Sequence, residues 1–339
     1  MATAYAAERG HLEVVQWLID HDYQYDQDLI HCTIRGGQLS ILKWIQDNGI
    51  DYEHHLACGV AAGAGKLDIL KWLCRSKFPD SAVCHSAASN GHFKVLKYLH
   101  KNNVPLGEWT FDAAIAHGDL EIIKWLFSKR YEVSPTGEIF HNETCECAAE
   151  GEHIDVLQWL IENNCPFDRN KCIISAASGG QLNMLKWLCN NYNNNNNHLT
   201  IPMLCICAAS GGHAHILQWL QDCNYPNGDK SKEWKENIYT QAGANNHLNV
   251  LKWAYKNNIP YNSSFCERAA THGYFKVLKW AYDNGIPFTE KVFENAIQNN
   301  ELYILKWLYE HGCPYNVGNH LVRVHYISRE IITWLRTLP

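Results

Sequence analysis

The sequence lacks several features that would quickly assign it to a functional class. Residues 1–13 contain neither the basic start nor the apolar core of a secretory signal peptide. No run of about 18 apolar residues is long enough to span a membrane. The formal net charge is only -6, which argues against a general nucleic-acid binder. Catalytic signatures such as Gly-x-Ser-x-Gly are also missing. We therefore expect a non-catalytic protein of the cytoplasm or nucleus, without a cofactor, that binds neither membrane nor nucleic acid.

The sequence does contain one short pattern, repeated about eleven times. An apolar run ending in Lys-Trp marks it, and eleven of the 13 tryptophans occupy this marker position. The spacing between markers is most often 27 residues, and a proline seven residues later stays in phase. Because an array of repeats grows by adding repeats, we predict one array over residues 1–339. The marker residues are Trp17, Trp44, Trp72, Tyr98, Trp125, Trp159, Trp187, Trp219, Trp253, Trp280, Trp307 and Trp334.

Each repeat predicts two short helices. The first helix ends in a pair of small residues, such as Ala269 and Ala270, and a glycine turn follows. The second helix follows the pattern Leu-x-Val-Leu-Lys-Trp-Leu, in which apolar residues lie on more than one face of the helix. This suits a helix that packs between two neighbours. It stops at a Gly or Asn, residues that tolerate the left-handed conformation, and an X-Pro dipeptide then keeps the chain extended.

The run Ala-Ala-x-x-Gly-His-Leu at residues 6–12 resembles the central signature of the ankyrin repeat, and the resemblance recurs along nearly the whole chain. Most repeats have 27 residues instead of about 33, and the missing part corresponds to the family's β-hairpin. The resemblance implies an all-α, ankyrin-like two-helix solenoid with short or absent hairpins and a degenerate C-terminal cap at 321–338. It further implies a monomeric scaffold or adaptor that binds a partner protein in a concave groove lined by first helices.

Three insertions interrupt the regular spacing, at residues 129–142, 190–202 and 225–237. They lengthen their repeats to 32 to 34 residues, so a hairpin-like finger is predicted there. The second insertion contains an asparagine tract at 193–197, a composition typical of a disordered loop. Their role is left open.

Cysteines and histidines recur in phase with the repeat. Cysteine alternates with Ile, Phe and Tyr three residues before the Ala-Ala pair, which indicates a small buried hydrophobe. Cys145 and Cys147 resemble half a zinc site, but residues two apart on a helix do not face each other. Histidines in successive turns would stand about 10 Å apart, whereas zinc needs its ligands at about 2 Å. We predict turn-stabilising histidines and no metal. The turn histidines are His11, His92, His153, His213 and His247.

A lysine precedes most marker residues and forms the most regular charged feature. One interpretation is a stripe that binds phosphate, which makes anion or nucleic-acid binding the alternative function. The other is a solvated outer face that keeps the array soluble, with acidic residues three positions earlier offsetting the charge in some repeats. We favour the solvated face. The lysines are Lys43, Lys71, Lys97, Lys124, Lys186, Lys252, Lys279 and Lys306.

Function in an array is expected where the repeats differ. First-helix positions spaced i, i+3, i+4 and i+7 share one face, and they vary while the frame is constant. Trp109 is a candidate anchor because tryptophan is favoured in interfaces; the alternative is that it packs beneath the preceding loop, on Leu106. The predicted partner-binding residues are Asp28, His31, Arg35, Trp109, Asp112, Glu143, Glu146, Glu150, Glu267, Arg268, Thr271, Lys291, Glu294 and Gln298.

Overall fold

The computed structural model describes residues 1–75, 78–107, 109–134, 136–191, 201–223, 233–316 and 327–338. These residues contain 24 helices and no strand. None of the described helices combines the length and the apolar character needed to cross a membrane. The chain divides into two compact units, an N-terminal unit (Met1–Phe167) and a C-terminal unit (Asp168–Pro339). A single array over residues 1–339 stays a prediction.

The helices come in pairs, as the repeat pattern predicts. The N-terminal unit contains α1 (Ala2–Glu8), α2 (Leu12–Asp20), α3 (Gln27–Gly36), α4 (Leu39–Asp47), α5 (His54–Gly63), α6 (Leu67–Leu73), α7 (Ala82–Ala88), α8 (Phe93–Lys101), α9 (Trp109–His117), α10 (Leu120–Ser128), α11 (Arg130–Val133), α12 (Thr144–Glu150) and α13 (Ile154–Glu162). Apart from α11, these are six pairs of a first and a second helix. The predicted all-α fold of two-helix repeats is confirmed.

The C-terminal unit continues the same pairing. It contains α14 (Arg169–Gly179), α15 (Leu182–Asn191), α16 (Ile201–Ser210), α17 (Ala214–Asp222), α18 (Glu233–Ala244), α19 (Leu248–Lys256), α20 (Ser264–Thr271), α21 (Phe275–Asp283), α22 (Glu290–Gln298), α23 (Leu302–Glu310) and α24 (Arg329–Leu335). Five pairs precede α24, which lies in the predicted cap. Residues 321–326 of that cap lie outside the described residues.

Successive first helices pack directly on one another within each unit. In the N-terminal unit α7 lies between α5 and α9, and in the C-terminal unit α18 lies between α16 and α20. The Ala-Ala pairs make this close approach possible, because a methyl side chain leaves the neighbouring backbone near. Ala87 and Ala88 are fully buried in this contact. The second helices add larger aliphatic residues such as Leu96, so small and large side chains alternate through the core.

The marker tryptophans join successive second helices. Each of four marker rings meets an aromatic ring of the preceding repeat edge-on, with ring centroids 5.2 to 5.8 Å apart. Such pairs contribute about 0.5–1.5 kcal/mol beyond their buried area, which accounts for a large aromatic at every repeat. The pairs are Trp125 on Phe93, Trp159 on Phe127, Trp280 on Tyr255 and Trp307 on Phe275.

In the repeat of α7 and α8, both helices end in a left-handed residue. At the end of α7, Gly91 has a φ of +70° and the His92 backbone N–H donates to Ala87 O at 2.9 Å. At the end of α8, Asn103 has a φ of +61° and the Val104 N–H donates to Leu99 O at 3.1 Å. These bonds satisfy carbonyls that the helix leaves without a partner. The predicted stops are confirmed at Gly49, Asn103, Asn164, Asn258, Gly285 and Gly312, and Asn224 lies outside the described residues.

Three of the five turn histidines connect neighbouring repeats through hydrogen bonds. Their Nε2 atom lies 2.8 to 3.2 Å from a backbone carbonyl oxygen at the end of the preceding first helix. The turn glycine of the preceding repeat lies beneath the ring: a Cβ on Gly118 would come within 2.2 Å of His153. The predicted stabilising role is confirmed for these three histidines, whose partners lie in the preceding repeat, and it stays a prediction for His11 and His247. The pairs are His92 with Gly63, His153 with Ala116 and His213 with Ser178.

We expect His213 to make the C-terminal unit sensitive to acid. Burial lowers the pKa of His213, the hydrogen bond to Ser178 opposes this, and His215 and His247 lower it further. Histidine in an unfolded chain titrates near pH 6.5. The unfolded chain therefore binds the proton more readily than the folded protein. The contribution of His213 to the free energy of unfolding is fully present above about pH 6.5. It decreases as the pH drops through that value toward the lowered pKa of the folded protein.

The variant His213→Gln tests this expectation. Glutamine retains a donor at this position, since Gln38 Nε2 donates to Glu8 O at 3.3 Å in the equivalent turn, and it does not titrate. The urea midpoint of the C-terminal unit is measured at about pH 7.5 and about pH 5.5. We expect the wild-type midpoint to fall further than that of the variant. Equal falls would show that His213 does not carry the acid sensitivity.

The insertions do not contain the predicted hairpin in their described part. Residues 129–142 form the short helix α11 and a turn in which the Gly137 N–H donates to Ser134 O at 2.9 Å. The helix is held by Glu132, whose carboxylate accepts a hydrogen bond from His100 Nε2 at 2.7 Å. Residues 129–134 and 136–142 contain no strand, so the predicted hairpin-like finger is wrong for the described part of this insertion, where α11 contacts α8 instead. Residues 192–200 and 224–232 of the other two insertions lie outside the described residues.

The in-phase cysteines are buried, as predicted. All five occupy the core between first helices, where their small apolar side chains replace Ile or Phe of other repeats. Burial raises the pKa of Cys84 and of Cys205 to about 12, so both remain thiols at neutral pH. The five residues are Cys58, Cys84, Cys145, Cys205 and Cys266.

Candidate functional site

All the predicted partner-binding residues lie at the surface. Nine are exposed and five are half-buried. Eight belong to the N-terminal unit and six to the C-terminal unit, and each group is described within its own unit. The exposed residues are Asp28, Arg35, Trp109, Glu143, Glu150, Arg268, Thr271, Lys291 and Gln298; the half-buried ones are His31, Asp112, Glu146, Glu267 and Glu294.

Trp109 at the start of α9 is the most exposed tryptophan among the described residues. It is 65% exposed, so it is not buried beneath the preceding loop, whereas Leu106 is buried. Its ring stacks on His141, with centroids 6.1 Å apart and planes 26° apart. Its backbone carbonyl accepts a hydrogen bond from His85 Nδ1 at 3.1 Å. The indole therefore has one ring contact while most of its surface faces solvent.

Carboxylates gather next to Trp109 on α9 and α12. His141 Nδ1 lies 3.1 Å from Asp112 Oδ2, which links the aromatic pair to the acidic group. Burial raises the pKa of the Cys147 thiol on α12, and the neighbouring carboxylates raise it further. The sequence predicts an acidic patch of Glu143, Glu146 and Glu150, and the structure adds Asp112 to this group.

A cleft opens beside Trp109, between the starts of α7 and α9. Its volume is about 520 Å³, and we call it the Trp109 cleft. At its floor Thr110 is 1% exposed, and its Oγ1 has no hydrogen-bond partner among the described residues. The lining residues are Asp80, Ser81, Ala82, His85, Gly107, Trp109 and Thr110.

Sequence reasoning missed most of this cleft. Asp80 precedes α7, and its Oδ1 accepts a hydrogen bond from the Ala82 N–H at 3.0 Å, so it reads as a helix cap. His141 lies in an insertion, outside the repeat register. Thr110 occupies a first-helix position that points inward. A polar residue at such an inward position was the available signal, since the equivalent sites in most other repeats are apolar.

The predicted residues of the C-terminal unit take part in bonds between repeats. Glu267 Oε1 accepts from Thr289 Oγ1 at 2.9 Å, and Glu267 O accepts from Asn295 Nδ2 at 3.0 Å. Thr271 Oγ1 also donates to that carbonyl, at 3.0 Å. The bonds from Thr289 and Asn295 join α20 to α22, whereas the bond from Thr271 lies within α20. The group around Glu267 therefore has a structural role in the stack, and the N-terminal unit offers the stronger candidate site.

The lysine stripe is exposed throughout, and two of its members have local partners. Lys71 Nζ lies 3.7 Å from Asp68 Oδ1, three residues earlier on α6. Lys97 Nζ lies 3.6 Å from the ring centroid of Phe93 on α8. Both contacts fit a solvated helix face whose charges are offset locally.

Comparison with known proteins identifies a family. A family model described as ankyrin repeats (many copies) matches residues 4–46 and 84–127. A second, described as ankyrin repeats (3 copies), matches residues 111–198 and 145–225. Together the matched segments cover more than half of the 339 residues. An ankyrin repeat protein of Acanthamoeba polyphaga mimivirus is 24% identical over 191 residues, which span 48% of this chain and 42% of the viral protein.

Solved structures offer only a distant likeness. Pentatricopeptide repeat protein PPR10 in complex with an 18-nt psaJ RNA element matches with a TM-score of 0.36 at 12% identity, over 92% of this chain and 53% of that chain. PPR10 from maize matches with a TM-score of 0.36 at 11% identity, over 90% and 56%. Those TM-scores are too low to establish a shared fold. The family models, the glycine turns and the stacked helix pairs agree, and the chain belongs to the ankyrin repeat family.

Proposed function

We propose that this protein is a non-catalytic scaffold or adaptor that binds a partner protein on the first-helix face of its N-terminal unit. Ankyrin repeats generally mediate protein–protein interaction. On that face the exposed first-helix residues differ from repeat to repeat, while the buried residues of the repeat recur. The observation that carries the proposal is Trp109, which is 65% exposed, whose ring stacks on His141 and whose backbone carbonyl accepts a hydrogen bond from His85. An exposed tryptophan is a typical interface anchor.

The surroundings of Trp109 support an interface more than an active site. The neighbouring groups are carboxylates and a cleft open to solvent. Within the described residues, no group of three or more His, Cys, Asp or Glu side chains is arranged to hold a metal ion. Charged residues around an aromatic anchor favour partner choice and association rate.

Replacing Trp109 tests the proposal. The biotinylated full chain captures partners from cell lysate, and quantitative mass spectrometry compares wild type with the Trp109→Ala, Glu150→Gln variant. We expect at least one protein to be captured about tenfold less by the variant, because an anchor and a neighbouring charge are lost. Both side chains are exposed, so circular dichroism is expected to show the same thermal midpoint.

The matched control is Tyr303→Ala. Tyr303 on α23 is 64% exposed and meets Phe275 edge-on at 5.0 Å, so it equals Trp109 in exposure and in having one ring contact. It lies on a second helix and is expected to leave capture unchanged. Partners kept by the double variant would contradict the placement. If their capture then collapsed with added salt, the lysine stripe would be the binding surface.

A further inference from the structure

We propose that the partner segment bound at this face is basic, and that one of its arginine side chains occupies the Trp109 cleft. The inference rests on the proposed function and names the chemistry of the partner. It combines three separate observations: the sign of the charge on the face, a buried hydroxyl at the floor of the cleft, and an aromatic wall.

The charge on this face has one sign. Helices α7, α9 and α12 stack consecutively, and none of them contains a lysine or an arginine. Asp112, Glu146 and Glu150 lie on these helices, Glu143 directly precedes α12, and Asp80 lies at the cleft. A face of this kind attracts a cationic segment and repels an anionic one.

The cleft has an unused hydrogen-bonding group. Thr110 is 1% exposed and its Oγ1 has no partner among the described residues. Buried hydroxyl groups normally have a hydrogen-bond partner in the protein, because water can no longer form hydrogen bonds with them. A donor from an occupant of the cleft would satisfy Oγ1. This observation is independent of the surface charge, since it concerns a neutral atom at the floor.

The walls of the cleft favour arginine over other cations. Trp109 offers an indole, and Asp80, whose Oδ1 accepts from the Ala82 N–H at the start of α7, offers a carboxylate that lines the cleft. A guanidinium is planar, stacks on aromatic faces and carries five donors in a fixed fork. It is therefore able to contact the indole of Trp109, the carboxylate of Asp80 and the hydroxyl of Thr110 together. A lysine ammonium lacks the plane and the fork.

The cleft is large enough for such a side chain. Its volume of about 520 Å³ exceeds that of one arginine side chain, so the flanking peptide backbone also finds room. His141 supports the indole from the side of α12, while the cleft lies on the side of α7. The aromatic wall is thus already in position before a partner arrives, which reduces the entropy lost on binding.

A random peptide library displayed on phage tests the inference with the full chain as target. Peptides enriched on wild type and depleted on Trp109→Ala are sequenced, synthesised with fluorescein and titrated by anisotropy. We expect every enriched family to share one arginine, and replacing that arginine by lysine in the peptide to weaken binding about tenfold. Shared glutamate or purely apolar motifs would overturn the inference.

Two conservative variants of the protein address the cleft directly. Thr110→Val removes the hydroxyl and keeps the shape, and Asp80→Asn keeps an oxygen that accepts from the Ala82 N–H. We expect each to weaken binding of the selected peptides about tenfold to a hundredfold, the range for one hydrogen bond to a charged group. The matched control is Asp26→Asn, since Asp26 Oδ1 also accepts from a backbone N–H at 3.0 Å, that of Asp28, far from the cleft.

The outcomes separate the two proposals. If no peptide distinguishes wild type from Trp109→Ala, partner binding at this face fails and the inference fails with it. If peptides depend on Trp109 but share no arginine, or bind Thr110→Val and Asp80→Asn as tightly as wild type, the proposed function stands and the arginine assignment is wrong. A shared arginine together with weaker binding to both variants supports it.

Discussion

Leu157→Ala is expected to lower the free energy of unfolding of the N-terminal unit by about 2–5 kcal/mol. Leu157 on α13 is fully buried. Removing its side chain loses the transfer free energy of the missing carbons and leaves a cavity, because the surrounding helices relax only in part. In a repeat array each repeat contacts only its neighbours, so one weak repeat has a large effect on local stability.

Urea unfolding of the full chain, followed by far-UV circular dichroism, measures the Leu157 effect. The control is Leu56→Ala, the same chemical change at a residue on α5 that is 41% exposed. It is expected to change the free energy of unfolding by less than about 0.5 kcal/mol. Similar losses for the two variants would contradict the core that the repeat pattern predicts.

Gly118→Ala is expected to lower the free energy of unfolding by about 2–3 kcal/mol, from two separate causes. Gly118 has a φ of +84°, and a left-handed residue with a Cβ costs about 1–2 kcal/mol. The new Cβ would also lie 2.2 Å from the ring of His153. Moving that ring breaks the bond between His153 Nε2 and Ala116 O, worth about 0.5–1.5 kcal/mol.

Two further variants separate these causes. Gly49 has a φ of +68° and nothing within 4 Å of a built Cβ, so Gly49→Ala measures the backbone strain alone. In a His153→Ala background the ring is absent, and Gly118→Ala is expected to cost about as much as Gly49→Ala. If Gly118→Ala costs no more than Gly49→Ala in the wild-type background, the contact between the turn glycine and the next histidine does not constrain the sequence.

Parts of the candidate site could be predicted from sequence, and parts could not. Trp109 and the acidic residues of α12 follow from their positions on a helix face, because i, i+3, i+4 and i+7 spacing determines which side chains share a side. The support of Trp109 by His85 and His141 could not be predicted in this way. Those residues lie 24 and 32 positions from Trp109, and only the packing of three repeats brings them together.

Sequence alone determined the local structure of this protein: two helices per repeat, their ends at Gly and Asn, and a buried Ala-Ala pair. These features depend on periodicity and on the backbone preferences of single residues, which act within a few positions. The contacts between repeats were determined only by the tertiary structure. His153 contacts the glycine turn of the preceding repeat, and Trp125 packs against Phe93. Part of the first insertion forms α11, and the Trp109 cleft lies next to Thr110. The physical reason is that these contacts join residues of different repeats, so they depend on how the helices stack.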